Sequence, residues 1–316
     1  MTNPPLDVVL ALGGGAARGL AHVGIIRVLE QHGVRIRGIA GTSIGAIVGG
    51  MYCAGLIDEY EAYSRKIDAK GMLRLLDPIV PRSGLLGGAR VVHLLKEFLG
   101  ESLIEELPLP FCALATELKN GEEVVLHRGN LVDAIRASFA IPGIFTPTEV
   151  DGQWLVDGGV STPVPVRAAR DLVPDVPIIA VNLNNCDNTT DGEVMDLLDT
   201  TEDERELSRI QRLLNRMRSS GDQRPGLVTS ISDSITHMEH RLARFQIAAD
   251  NPDLLLEPSV YGVGLFDFHR ADAIIQTGAE CAKRAVEDGE LDHLMAKARR
   301  QKLRPHWARS RRRSKQ

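Results

Sequence analysis

Aromatic residues and cysteines are scarce in this sequence. Only 4% of the 316 residues are aromatic, so the core has to be built mainly from aliphatic side chains. The four cysteines (Cys53, Cys112, Cys186 and Cys281) form no C-x-x-C pair and have no histidine at ligand spacing. Because zinc sites and disulfide frameworks need such arrangements, the sequence predicts neither, and it indicates a reducing compartment.

The N-terminus lacks the basic region and the apolar core of a secretory signal peptide. One uncharged stretch, residues 39–57, is nearly long enough to cross a bilayer. It contains five glycines, however, and divides into a strand end, a turn and a helix. We therefore expect a buried strand–helix unit in a cytoplasmic protein.

Charge is unevenly distributed along the chain. Segment 297–316 contains ten lysines and arginines and no acidic residue, whereas the whole chain has 37 basic and 42 acidic residues. A basic run of this kind does not fold alone, so we expect residues 291–316 to form a disordered tail. The functional alternative is a peripheral contact of segment 297–316 with anionic lipids at the inner membrane surface, with Trp307 at the interface. Nucleic acid is not an expected partner, because the acidic remainder would repel a phosphate backbone.

A serine stands between two glycines in the segment 41–45, after an apolar run typical of a strand and before one typical of a helix. Such a G-x-S-x-G turn is sharp, and it holds the serine oxygen clear of the backbone at the N-terminus of the helix. Glycine is favoured on both sides because backbone approaches backbone there. Ser43 is therefore a candidate nucleophile, and Gly41 and Gly45 form its elbow.

A glycine-rich loop, residues 13–19, follows a predicted strand at 8–12 and precedes a predicted helix. Such a loop presents free N–H groups in front of the positive end of a helix dipole. It can bind a phosphate or the oxyanion of an acyl-transfer intermediate, and Arg18 adds a positive charge. A dinucleotide loop would need glycine in place of Ala16 and an acid after the second strand, and a P-loop would need Gly-Lys. Both nucleotide-binding motifs are therefore disfavoured.

Asp157 follows a predicted strand and precedes Gly158 and Gly159. A carboxylate at the rim of a sheet can accept the proton of Ser43 and act as general base. From the residues alone, the alternative is an Asx-turn aspartate that closes a hairpin.

Taken together, these motifs resemble the patatin-like phospholipase family, in its bacterial form similar to neuropathy target esterase. The segments that carry the resemblance, in chain order, are 10–15, 17–22, 41–46, 137–143 and 157–159. Several ordered motifs are much more specific than one. The resemblance implies an α/β fold: a three-layer sandwich with a central, mostly parallel sheet flanked by helices.

The function that this resemblance implies is a serine lipid acyl hydrolase, a phospholipase A, lysophospholipase or related carboxylesterase, whose substrate is a lipid or other ester. By the same resemblance Ser43 and Asp157 form a dyad without histidine that acts through an acyl-enzyme. The amides around Gly14, Gly15 and Ala16 would form the oxyanion hole. Neither a metal nor a cofactor is implied.

Three positions of the glycine-rich loop need separate comment. The family usually has glycine where this chain has Ala16, and a positive φ there would cost about 1 kcal/mol. Arg18 and Gly19 are candidates for contact with a lipid phosphate, and the alternative for Arg18 is that it only braces the loop.

Three alternative functions remain open. A Ser–His–Asp triad would need a late histidine, for which four are available: His237, His240, His269 and His293. In an α/β-hydrolase, however, the serine turn follows several strand–helix units, and here only one precedes it. A low-turnover regulatory or scaffold protein would keep the same motifs, and a phosphate-sensing module would bind a nucleotide at the loop 13–19.

The predicted organisation is a catalytic core over residues 1–190, a helical cap with the final strand and helix over 191–290, and the tail over 291–316. The spacing of leucines and charges predicts a pair of cap helices at about 193–220 and 226–249. It also predicts one amphipathic helix over 58–76.

Overall fold

The computed structural model describes residues 5–75, 77, 86–184 and 227–302, which are built on one eight-stranded sheet. The strands are β1 (Leu6–Leu12), β2 (Val34–Thr42), β3 (Phe111–Glu117), β4 (Glu123–Leu126), β5 (Thr148–Val150), β6 (Gln153–Asp157), β7 (Ile178–Val181) and β8 (Leu254–Leu256). The strand order is β5-β6-β3-β2-β1-β7-β8, and β4 pairs with β3.

The centre of this sheet is parallel and one side is antiparallel. β3, β2, β1, β7 and β8 pair in parallel, whereas β4, β5 and β6 pair antiparallel. Parallel strands are buried on both faces and consist of apolar runs, as the sequences of β1 and β3 do. The predicted mostly parallel sheet is confirmed.

Helices cover both faces of the sheet. They are α1 (Ala21–Gln31), α2 (Ile44–Cys53), α3 (Ile57–Lys66), α4 (Ala69–Leu75), α5 (Ala89–Leu99), α6 (Leu131–Ser138), α7 (Val166–Leu172), α8 (Leu227–Asp250), α9 (Ala271–Glu287) and α10 (Glu290–Lys302). Alternate residues of β1 enter two different apolar clusters, one that includes α1, α2, α6 and α9 and one that includes α7 and α8. This alternation defines the three layers of the sandwich.

The single helix predicted over 58–76 is wrong, because α3 ends at Lys66 and α4 begins at Ala69. Ile67 between them is extended, with φ −71° and ψ 115°. The Asp68 carboxylate accepts a hydrogen bond from the Gly71 amide at 2.6 Å, as an N-cap residue does, and so begins a new helix.

The disordered tail predicted from residue 291 is wrong for its first part, because α10 extends to Lys302. Leu291 and Leu294 lie one turn apart on α10 and are buried against the core, which explains why this basic segment is helical. Residues 303–316, including Trp307, lie outside the described residues, so the lipid contact of segment 297–316 stays a prediction. Within the described ranges, no helix combines the length and the apolar content needed to span a bilayer.

Of the predicted pair of cap helices, the second corresponds to α8. The first, at about 193–220, lies outside the described residues. The division into a core over 1–190 and a cap over 191–290 therefore stays a prediction.

Candidate active site

β3 brings Ser43 and Asp157 together although 114 positions separate them in the chain. β2 pairs with the first half of β3, where Thr42 lies opposite Leu114. β6 pairs with the second half, where Asp157 lies opposite Ala115. The two strands therefore end at neighbouring positions of β3, and Ser43 is the residue that follows Thr42.

The hydroxyl of Ser43 donates a hydrogen bond to Oδ2 of Asp157 at 2.6 Å. Both side chains are buried, with 5% and 3% of their surface exposed. The other carboxylate oxygen, Oδ1, accepts a hydrogen bond from the Gly159 amide at 2.7 Å. The Asx-turn alternative and the contact with Ser43 are thus both present, one on each oxygen, and the turn fixes the orientation of the carboxylate.

Burial raises the pKa of Asp157 from 3.8 to about 6, although hydrogen bonds from Ser43 and Gly159 act in the opposite direction. A carboxylate of this pKa is ionised at neutral pH and is a better proton acceptor than an exposed aspartate. Such a perturbed carboxyl group beside a hydroxyl is typical of a catalytic site.

Ser43 has a positive φ, with φ 56° and ψ −121°. Such a conformation is strained for a residue with a side chain, and it persists only where the surroundings hold it. Here the Ser43 amide donates to Ser138 Oγ at 2.8 Å, and that hydroxyl donates to the Leu114 carbonyl at 2.6 Å. The strained turn is therefore tied to β3 through Ser138.

The two elbow glycines allow close backbone approach. A Cβ atom on Gly45 would collide with the carbonyl group of Leu12 at the end of β1, and one on Gly41 would collide with the backbone of Gly45. The first turn of α2 can therefore lie directly against the ends of β1 and β2.

The three predicted oxyanion donors are not equivalent. The Gly14 amide donates to the carbonyl of Pro163 at 3.0 Å, so the prediction that it belongs to the oxyanion hole is wrong in this structure. Within the described part of the chain, the amides of Gly15 and Ala16 have no hydrogen-bond acceptor, and both residues line the same cavity as Ser43. Ala16 has a φ of 51°, the positive value that a glycine would adopt without strain.

Arg18 and Gly19 have structural contacts in the loop. Arg18 Nε donates to the Val263 carbonyl at 3.1 Å, so this side chain braces the loop while it also lines the cavity at Ser43. A Cβ atom on Gly19 would collide with the side chain of Ile44, so this glycine allows the loop to pack against α2.

His22 contacts the glycine-rich loop through a buried hydrogen bond to Gly13. Burial lowers its pKa to about 4, so the ring is neutral at physiological pH, and its Nε2–H donates to the Gly13 carbonyl at 2.9 Å. This contact positions the glycine-rich loop and involves no proton transfer.

The late histidines lie outside the linings of the cavities at Ser43. None of the four (His237, His240, His269 and His293) lines either cavity at Ser43. Nδ1 of His240 donates instead to the Asn184 carbonyl. Among the described residues, no three His, Cys, Asp or Glu side chains are grouped so that they could hold a metal ion.

Ser43 lies where two cavities meet. The first, of about 40 Å³, has a partly apolar lining but holds the polar side chains of the site, for which we name it the polar cavity. Besides Ser43 they are Arg18, Asp157, Asn184, Thr236 and Glu239. The second, of about 120 Å³, is apolar and is lined by residues of α2, α3, α4 and α5 and by residues of segments 139–145 and 265–268. The arrangement places a serine hydroxyl, a buried carboxyl group, two backbone amides and an apolar compartment at one place.

Residues 10–170 match the patatin-like phospholipase family. The chain belongs to this family. Membership supports a lipid hydrolase function.

Relatives of this patatin-like chain include NTE family proteins. An uncharacterized NTE family protein of Mycobacterium tuberculosis is 33% identical, over 90% of this chain and 92% of that protein. Lysophospholipase NTE1 of Coccidioides immitis is 28% identical, over 89% of this chain but only 18% of its own length. Among solved structures, VipD from Legionella pneumophila matches with a TM-score of 0.42 and 12% identity, over 91% of this chain and 67% of that one.

Sequence motifs do not indicate one residue of the patatin-like site, Glu239. It lies within the helix α8, where an acidic residue is ordinarily a solvated one, yet it lines the polar cavity with Ser43. Burial, together with the negative charge of Asp157, raises the pKa of Glu239 to about 8, and Arg18 offsets part of this shift.

Proposed function

We propose that this patatin-like protein is a serine lipid acyl hydrolase that acts through a Ser43–Asp157 dyad and an acyl-enzyme. The observation that carries the proposal is the 2.6 Å hydrogen bond from Ser43 Oγ to Asp157 Oδ2 at the junction of a polar and an apolar cavity.

In the acylation step, Asp157 accepts the proton of Ser43 as its oxygen attacks the ester carbonyl. In this proposal the amides of Gly15 and Ala16 stabilise the negative charge that develops on the carbonyl oxygen, and loss of one such donor typically costs about 3 kcal/mol of barrier. Collapse of the intermediate releases the alcohol and leaves the acyl group on Ser43. In a two-residue dyad, Asp157 returns its proton to the alcohol and then activates the water that releases the fatty acid.

The apolar cavity supports an ester with a long acyl chain. Its lining includes Phe139, Ile144, Phe145 and Phe268, and it reaches Ser43. Burying a methylene group there gains about 0.8 kcal/mol, so a long chain binds more tightly than a short one. Phospholipase A, lysophospholipase and carboxylesterase activities all fit this geometry.

The test combines covalent labelling with lipid hydrolysis. A fluorophosphonate probe should label the purified protein but not Ser43→Ala, and the protein should release fatty acid from a panel of phospholipids, lysophospholipids and simple esters. Asp157→Asn should lose nearly all hydrolysis, since an amide cannot accept the proton.

Asp151→Asn is the matched control. Asp151 is an exposed residue in the turn before β6, at the opposite end of that strand from Asp157, and it has a positive φ that asparagine tolerates. It should keep full activity. An unlabelled Ser43 without lipid turnover would favour the scaffold alternative, and full activity in Asp157→Asn would exclude the dyad.

A further inference from the structure

Two carboxyl groups, those of Asp157 and Glu239, approach the same point beside Gly159. A Cβ atom built on Gly159 would lie 3.0 Å from Asp157 Oδ1 and 2.7 Å from Glu239 Oε1. The separation of the two oxygens therefore cannot exceed the sum of these distances. Because both residues line the cavity that contains Ser43, a substrate bound there meets both carboxyl groups.

The rest of α8 holds Glu239 in this place. Ala243 is fully buried, and Gln246 Nε2 donates to the Ser161 carbonyl at 2.7 Å. Further along, Arg170 donates to the Asp250 carbonyl at 2.9 Å. The C-terminal half of the helix is thus anchored to the core, and its preceding turns extend over the cavity.

The charges around Glu239 favour one shared proton. Arg18, Asp157 and Glu239 are the charged or titratable side chains that line this cavity in the described part of the chain. Two carboxylates in a confined site do not readily ionise together, so one of them keeps a proton. Asp157 accepts hydrogen bonds from Ser43 and Gly159, which stabilise its ionised form, so the proton belongs to Glu239. The higher pKa of Glu239, about 8 against about 6, agrees with this assignment.

We propose that Glu239 is a second catalytic carboxyl group, which protonates the leaving alcohol during acylation and activates the hydrolytic water during deacylation. The proposal rests on the proposed function of Ser43 and Asp157. Both oxygens of Asp157 are already engaged, one by Ser43 and one by Gly159, whereas Glu239 reaches the cavity from another wall.

The proton balance closes over one catalytic cycle. In acylation, the Ser43 proton passes to Asp157, the ester C–O bond breaks, and the Glu239 proton passes to the departing alkoxide. In deacylation, water loses a proton to the Glu239 carboxylate and attacks the acyl carbon. The Asp157 proton then returns to Ser43 as the acyl bond breaks. Both carboxyl groups are back in their starting states.

The test compares Glu239→Gln with the unsubstituted protein on two esters of the same fatty acid. One ester has an aliphatic alcohol, which must be protonated to leave, and the other has p-nitrophenol, which leaves as the anion. We expect kcat/KM for the aliphatic ester to fall about 100-fold or more, as for loss of a general acid. For the p-nitrophenyl ester kcat/KM should change less than about 3-fold, since this constant does not include deacylation.

The same variant should show a burst. Because water activation is impaired, Glu239→Gln should release one p-nitrophenol per active site and then turn over slowly. In the unsubstituted protein, kcat/KM for the aliphatic ester should fall above about pH 8, where Glu239 ionises, and Glu239→Gln should lack this alkaline decline. Equal losses of kcat/KM on both esters, or no loss on either, would overturn the proposal.

Two controls separate misfolding from chemistry. The rate of fluorophosphonate labelling reports Ser43 and Asp157 and should stay unchanged in Glu239→Gln. His237→Gln alters an exposed side chain two positions away on α8, on a different face, and should leave all rates unchanged.

If the unsubstituted protein shows no Ser43-dependent hydrolysis, the proposed function fails, and this proposal fails with it. If only the leaving-group dependence is missing, the proposed function stands and Glu239 has no catalytic role.

Discussion

Ser138 links Ser43 to the central sheet. Its hydroxyl accepts a hydrogen bond from the Ser43 amide at 2.8 Å and donates one to the Leu114 carbonyl at 2.6 Å. Ser138 is fully buried at the end of α6, so water does not replace either contact. It is therefore a positioning residue for the strained serine turn.

Ser138→Ala should loosen this turn. It leaves a buried amide and a buried carbonyl without a partner, which costs about 1–3 kcal/mol of unfolding free energy. We expect kcat to fall about 10-fold or more while KM changes little, because small displacements of a nucleophile reduce rates strongly. Urea unfolding and steady-state kinetics measure the two effects. Ser102→Ala, which removes a hydroxyl that donates to the Leu99 carbonyl at a helix end, serves as the control. A normal kcat in Ser138→Ala would contradict the positioning role.

The pH dependence of hydrolysis should follow Asp157. A general base must be ionised to act, and the pKa of Asp157 is about 6 because the group is buried. With the p-nitrophenyl ester, kcat/KM should therefore rise with pH and level off above about pH 6–7. A profile that is still flat at pH 5 would show that a group of ordinary carboxyl pKa, or none, acts as the base.

Asp157→Asn should make the protein more stable at pH 8. Since the folded state raises the pKa of Asp157 above its unfolded value, folding binds a proton more tightly. Stability from this group is then greatest below about pH 4 and is lost as pH rises to about 6. Asparagine carries no charge and does not incur this loss, which at roughly two pKa units amounts to about 1–3 kcal/mol. Thermal unfolding of both proteins at pH 4 and pH 8 measures it. A lower midpoint for Asp157→Asn at pH 8 would contradict the burial argument.

Local patterns indicate most of the fold. The apolar run of β1 and the leucine spacing of α8 are strong signals, and the structure has both elements close to the predicted positions. The break at Asp68 has a local signal as well, an N-cap residue three positions before Gly71, but helical spacing on both sides obscures it. The charge pattern of α10 contains no signal for a helix. This segment is helical because Leu291 is buried against the core.

The residues of the candidate site likewise fall into two groups, those that local patterns mark and those that long-range contacts place. Ser43 is marked by turn chemistry, since a glycine lies two positions away on each side. For Asp157 the following glycines leave the Asx-turn alternative open, and the resemblance of the ordered motifs is what selects it. Long-range pairing decides the rest. The Gly14 amide is occupied by Pro163, which lies 149 positions further along the chain, and Glu239 lies on a helix whose sequence contains no motif. Such contacts depend on how the strands are ordered, and no local pattern encodes them.

The apolar cavity predicts a chain-length preference. Ile47 lies one turn after Ser43 on α2 and lines the cavity. Ile47→Trp should fill the part nearest the nucleophile, so kcat/KM for a 12-carbon ester should fall about 10-fold or more. A butyrate ester should be affected much less, since it loses fewer buried methylenes at about 0.8 kcal/mol each. Leu118→Trp, at an exposed position directly after β3, is the control. Equal losses for both chain lengths would mean that the acyl chain does not enter this cavity.

Ala16→Gly tests whether strain at the oxyanion loop matters. Ala16 has a φ of 51°, which costs an alanine about 1 kcal/mol, and glycine removes that cost. Glycine also increases the entropy of the unfolded chain, which lowers the unfolding free energy by about 0.5–1 kcal/mol. The two effects oppose each other, so the net change in unfolding free energy should be small. Because the amide is kept, kcat should stay within about 3-fold of the original value.

Ala17→Gly provides the contrast for this substitution. Ala17 is fully buried and has no positive φ, so glycine there relieves no strain and removes a packed methyl group. It should destabilise the protein by about 1 kcal/mol or more. If Ala16→Gly and Ala17→Gly lose stability equally, the positive φ of Ala16 is not a source of strain. If Ala16→Gly instead raises kcat well above 3-fold, the alanine is holding its amide away from the best position for the oxyanion.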